Sequence, residues 1–65
     1  MFAVCEANAY LMKDGKEELL MANVDILRPE GNVVYLMDIF GEQRWVEAAI
    51  KEMNLVRHRI VLEKA

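Results

Sequence analysis

Serine and threonine are absent from this 65-residue chain, and cysteine, histidine, tryptophan and proline each occur once. Without serine or threonine there is no hydroxyl nucleophile of that type. The lone cysteine, Cys5, cannot close an internal disulfide, and with His58 as the lone imidazole no CxxC or paired-histidine zinc site exists. Nothing local brings Cys5 and His58 together, so a Cys–His catalytic pair has no support. The three glycines stand singly, which leaves no glycine-rich phosphate loop. The apolar run Val33–Met37 falls far short of the roughly 20 residues a membrane-spanning helix needs. The first residues carry neither positive charge nor an extended apolar run, so no secretory signal is expected. With its single free thiol, the protein is expected in a reducing cytoplasm, away from membranes.

What is present bounds the rest. Sixty-five residues make one domain, 1–65, which buries only roughly 60% of the surface its unfolded chain exposes. Domains of this size usually need a disulfide, a metal or a partner subunit. With the disulfide excluded, a metal or an oligomer is expected. A hydrophobic content of 55% is ample for a globular fold. The net charge of −3 removes the counterion-release term that dominates nucleic-acid affinity, so nucleic acid is not an expected partner. A chain this short can barely wall a ligand cleft, and an enzyme is not expected.

Short alternating segments separated by turn signals dominate the chain. Cys5, Ala7, Ala9 and Leu11 fall on one face of a strand, and Glu6, Asn8, Tyr10 and Met12 on the other. Asp14-Gly15, between Lys13 and Lys16, is the favoured two-residue hairpin turn. Glu17–Ala22 returns as a second strand. Val24, Ile26 and a turn at Pro29–Asn32 then lead to a strand over Val33–Phe40, and Gly41-Glu42 turns the chain again. Over Arg44–Asn54, Val46, Ile50 and Met53 match helical spacing. Val46, Ala48 and Ile50, then Met53 and Leu55, alternate at period two with a break between. The surrounding hairpins favour the strand. Val56–His58 is a loose turn, and Arg59–Glu63 the last strand. The fold class is all-β: about five to six short antiparallel strands rolled into a small barrel, which removes exposed edges.

Few residues suggest chemistry. Arg57-His58-Arg59 is the one basic cluster and reads as a solvated turn. Tyr35, Phe40 and Trp45 read as core or subunit-interface packing rather than a base-stacking platform. The five methionines are scattered, which gives no support to a thioether copper site. Two readings of Cys5 stay open. One is a small buried strand residue. The other is a thiolate ligand near the terminus, joined by deprotonated backbone nitrogens in the strong in-plane field that Ni(II) and Cu(II) favour.

Several segments carry a resemblance: Cys-Glu-Ala-Asn-Ala-Tyr at 5–10, Lys-Asp-Gly-Lys at 13–16, and Val-Asp-Ile-Leu-Arg-Pro-Glu-Gly at 24–31. Ile-Phe-Gly-Glu-Gln at 39–43 and His-Arg-Ile-Val-Leu-Glu at 58–63 complete it. In their order and spacing they resemble the CooT family of small nickel-binding proteins associated with carbon monoxide dehydrogenase maturation. That family is also catalogued as predicted RNA-binding proteins. The resemblance implies an SH3-like β-barrel, a homodimer, and a metallochaperone that holds Ni(II) through a cysteine directly after the initiator methionine. Its partners would be a nickel enzyme or the maturation factors of one. Here the matching cysteine is Cys5, with Glu6 a secondary metal ligand whose carboxylate follows the thiolate. Residues 1–4 then read as an extension outside the family pattern. If the native start is at Val4, Met1-Phe2-Ala3 are expected to be absent and position 4 to be methionine, because a GTG codon reads as valine internally and methionine at initiation. The alternatives to nickel binding are a small RNA-binding barrel and a non-catalytic protein-interaction module.

Overall fold

The structure is a computed structural model that describes the backbone of residues 2–64 and the side chains of residues 6–64. Five strands follow one another: β1 (Phe2–Lys13), β2 (Lys16–Glu30), β3 (Val33–Asp38), β4 (Gln43–Asn54) and β5 (Arg59–Lys64). They close into a barrel in sequence order. No helix among the described residues is long and apolar enough to cross a membrane. The all-β expectation holds, and the expectation of wholly antiparallel strands needs one correction. Four antiparallel steps reverse the chain four times, so β5 runs in the same direction as β1. The closing ladder, Asn8↔Arg59 to Met12↔Glu63, is therefore parallel.

Local chemistry sets the turns. Asp14 and Gly15 both have positive φ (52° and 76°), as a type I′ hairpin turn requires, and Lys13 pairs with Lys16. The next hairpin is tighter than the expected turn at Pro29–Asn32. β2 runs on through Pro29 and Glu30 to the pair Glu30↔Val33, leaving Gly31-Asn32 as the loop, with Gly31 at φ 61°. Pro29 is tolerated there because, among the described residues, β2 has passed its last β1 pair, Phe2↔Leu27. The strand expected over Glu17–Ala22 continues through Val24 and Ile26 as the single strand β2, with Asn23 at positive φ (55°) within it.

β3 stops at Asp38, two residues before the expected end. Asp38 is buried, and its Oδ1 accepts the backbone N–H groups of Phe40 and Glu42, each at 2.9 Å. Its main chain adds two bonds: Gly41 N–H donates to its carbonyl (3.1 Å), and its own N–H donates to the Glu42 carbonyl (3.0 Å). One carboxylate thus organises the whole β3–β4 loop. The ambiguous segment is strand β4. Its break in alternation is a bulge at Lys51, where the register steps from Ile50↔Leu62 to Glu52↔Val61.

Inward-facing positions fill the barrel with Val24, Leu27, Val34, Leu36, Ile60 and Leu62, all essentially fully buried. Ala7, Ala9 and Ala48 complete this core. Small residues there leave room for the larger ones across a narrow interior. Each fully buried Leu, Ile or Val contributes about 1.5–3 kcal/mol.

Because Asp38 satisfies two loop amides, Asp38→Ala is expected to lower unfolding stability by about 1–3 kcal/mol in urea denaturation. Asp38→Asn keeps an acceptor oxygen and is expected to cost clearly less. Equal losses for the two variants would contradict this account of the loop.

Candidate metal-binding bulge in β1

The two long strands lose and regain register around the N-terminal half of β1. Pairing passes from Ala3↔Ile26 to Ala7↔Val24, four steps along β1 against two along β2. Val4, Cys5 and Glu6 therefore face Asp25 alone. β2 takes the two residues back, one between Ala7↔Val24 and Ala9↔Met21 and one before Tyr10↔Leu19. Bulges of this kind bend a strand and re-aim its side chains, and they are frequent beside functional sites.

Two non-glycine residues adopt left-handed backbone around these shifts, Glu6 at φ 59° and Asn23 at φ 55°. Asparagine tolerates that region well. The Asn23 N–H donates to Asn8 Oδ1 (3.3 Å), and its carbonyl accepts the Ile39 N–H (3.0 Å), which ties β1 to the β3–β4 loop. Glu6 has no such excuse in its chemistry. Its conformation costs about 1–2 kcal/mol, which the surrounding barrel must offset. The strained residue is the one directly after Cys5.

The parallel closing ladder decides what lies beside the bulge. The Asn8 N–H donates to the His58 carbonyl at 2.8 Å, one step before the pair Asn8↔Arg59. The fold thus sets the turn bearing the only imidazole against the strand bearing the only thiol, a neighbourhood that nothing local in the sequence indicates. The Cys5 side chain itself lies outside the described residues. Glu6 is exposed. Among the described residues no group of three or more His, Cys, Asp or Glu side chains is placed to hold a metal ion.

The basic cluster occupies the expected turn. Arg57 and His58 are exposed; the Arg57 N–H donates to Asn54 Oδ1 (3.0 Å) and the His58 N–H to the Leu55 carbonyl (3.3 Å). Arg59 has a different role. Its guanidinium lies 4.7 Å from the Tyr10 ring centroid and pairs with Glu17, whose hydrogen bond raises the pKa of Arg59 above its usual value. It therefore links β5, β1 and β2. Of the three aromatics read as core or interface residues, only Tyr35 is buried, between the Arg28 guanidinium at 4.7 Å and the Trp45 ring at 5.1 Å. Trp45 and Phe40 are 60% and 81% exposed in the single chain. For Trp45 the signal was in the sequence: it alternates with Gln43 and Glu47 on the outer face of β4.

Residues 4–63 match the model of a protein family described as CO dehydrogenase accessory protein CooT. The matched span includes both Cys5 and Glu6. A crystal structure of a protein assigned as CooT from Carboxydothermus hydrogenoformans is similar to this chain with a TM-score of 0.86. The two are 43% identical, over 94% of this chain and 98% of that one. No curated protein sequence matches significantly.

Left-handed backbone at Glu6 generates a test of the bulge. Glu6→Val places a β-branched residue at positive φ and is expected to be less stable than Glu6→Gly by at least about 1 kcal/mol in urea denaturation. In an ordinary extended strand the order would be reversed.

Proposed function

Since the chain belongs to the CooT family of CO dehydrogenase accessory proteins, we propose that it binds nickel(II) as cargo and supplies it during maturation of that enzyme, with Cys5 as the principal ligand. CO dehydrogenase is a nickel enzyme, so an accessory protein bearing a single thiol has a natural metal to carry. The observation that carries the reading is the bulge. Val4, Cys5 and Glu6 leave the regular ladder with β2, so the main chain on both sides of the thiol lies outside ordinary strand pairing. Thiolate sulfur with deprotonated amide nitrogens is the donor set that suits square-planar Ni(II). Glu6, exposed beside Cys5, is the secondary ligand. The working unit is a homodimer, whose two-fold axis can bring two copies of Cys5 together.

Position relative to the amino terminus matters under this reading. In a chain beginning at position 4, the terminal amine, the Cys5 amide and its thiolate form small chelate rings. Three further residues displace that amine, and nickel binding by the 65-residue chain is expected to be weaker. Calorimetry on the two forms checks this, with equal affinities counting against the terminal amine as a ligand.

The main test is a nickel titration followed in the ultraviolet. Sulfur-to-nickel charge-transfer absorption is expected for the wild type and lost in Cys5→Ala. Because the thiolate forms by losing a proton, affinity falls as pH is lowered. A band that survives Cys5→Ala would refute Cys5 as the ligand.

A further inference from the structure

We infer that the β4–β5 turn, Leu55–His58, is the surface through which this protein docks on the metal-accepting enzyme, and that it fits an apolar recess rimmed by carboxylates. The inference rests on the accessory role proposed above. Its starting point is Val56, which is 90% exposed, beside Leu55 at 53%. Neither residue belongs to the barrel core. Tight turns in water usually carry Gly, Asn, Asp, Pro or Ser, whereas this one reads Leu-Val-Arg-His.

Three observations favour a docking role. The turn is held in shape by the Asn54–Arg57 and Leu55–His58 hydrogen bonds, so presenting its side chains to a partner loses little further entropy. The His58 carbonyl accepts the Asn8 N–H at 2.8 Å, which puts the turn beside the strand segment that follows Cys5 and Glu6. An enzyme seated on it would meet the bulge as well. Charge then selects the kind of recess. Arg28 and Lys51 lie within ion-pair distance of Glu30 and Glu63 (3.1 and 3.6 Å, the first without hydrogen-bond alignment), and Arg59 pairs with Glu17. Arg57, like Lys13, Lys16, Arg44 and Lys64, has no ion pair among the described residues; it is the one of these that stands next to an exposed aliphatic pair, Leu55 and Val56, and makes their turn cationic on a chain of net charge −3. Its electrostatic complement is an acidic rim. Phe40, the other strongly exposed apolar residue on a hydrogen-bonded loop, is flanked by Glu42 and Arg44 and selects no charge.

The test measures binding of the full chain to purified apo-CO dehydrogenase by surface plasmon resonance at low and moderate salt. Wild-type affinity is expected to fall with salt. Val56→Glu should weaken binding by more than about tenfold and Arg57→Glu by several-fold. Thermal unfolding and the nickel titration should be unchanged in both variants. Undiminished binding by Val56→Glu, or no binding by the wild type, would overturn the inference. So would a shift of Val56→Glu from dimer to monomer in sedimentation, which would assign the turn to self-association. If docking is lost in the variants while the wild type shows no nickel band, the docking surface stands and the nickel reading fails.

Discussion

The parallel ladder between β1 and β5 is the constraint on which the rest of this structure depends. An odd number of strands joined by consecutive hairpins can close only if the first and last run in the same direction. Five backbone pairs, from Asn8↔Arg59 to Met12↔Glu63, make that closure. The closure removes the edges of β1 and β5 over that stretch and seals the core around Ala9, Ile60 and Leu62. Where it stops, at Asn8, the remainder of β1 pairs with β2 alone, and the bulge lies in that remainder. The closing ladder therefore fixes both the stability of the barrel and the place where its regularity ends.

The bulge and the surrounding loops form one connected arrangement. Asn8 receives the turn at His58 through its backbone and holds Asn23 through its side chain. Asn23 in turn accepts from Ile39, at the head of the loop that Asp38 organises. Cys5 and Glu6 thus follow from a strand anchored on three sides, though they themselves are released from regular pairing. A left-handed glutamate persists only where its neighbours over-determine it.

Much of this was legible from residues. The Asp14-Gly15 hairpin followed from a dipeptide suited to two positive φ angles. The alternation of Ala7, Ala9 and Leu11 marked the inner face of β1. Even the interruption between Ile50 and Met53 was visible as a break in period two before it was a bulge at Lys51. What escaped was non-local. The parallel pairing of Asn8 with Arg59 joins residues far apart in sequence, and no local pattern encodes it, so the approach of the His58 turn to β1 could not be read. Ile39 and Phe40 were taken into the strand that ends at Asp38, because what stops it is a carboxylate that satisfies amides of the following loop. Trp45 and Phe40 were read as core or subunit-interface residues on the ground that aromatics dominate small cores; Leu, Ile, Val and Ala already fill the barrel, so both lie outside the core of the single chain. For Cys5 the residues left burial and metal ligation both open, and nickel enters only through the proposed role as a CO dehydrogenase accessory protein.

The central claim is that the thiolate of Cys5 binds nickel at the point where β1 leaves its ladder. Nickel-edge X-ray absorption on the nickel-loaded full chain examines that bond directly. The account predicts a sulfur scatterer in the first coordination shell, with nitrogen neighbours and the edge features of a square-planar ion. A shell built only of oxygen and nitrogen in six-coordinate geometry would contradict it.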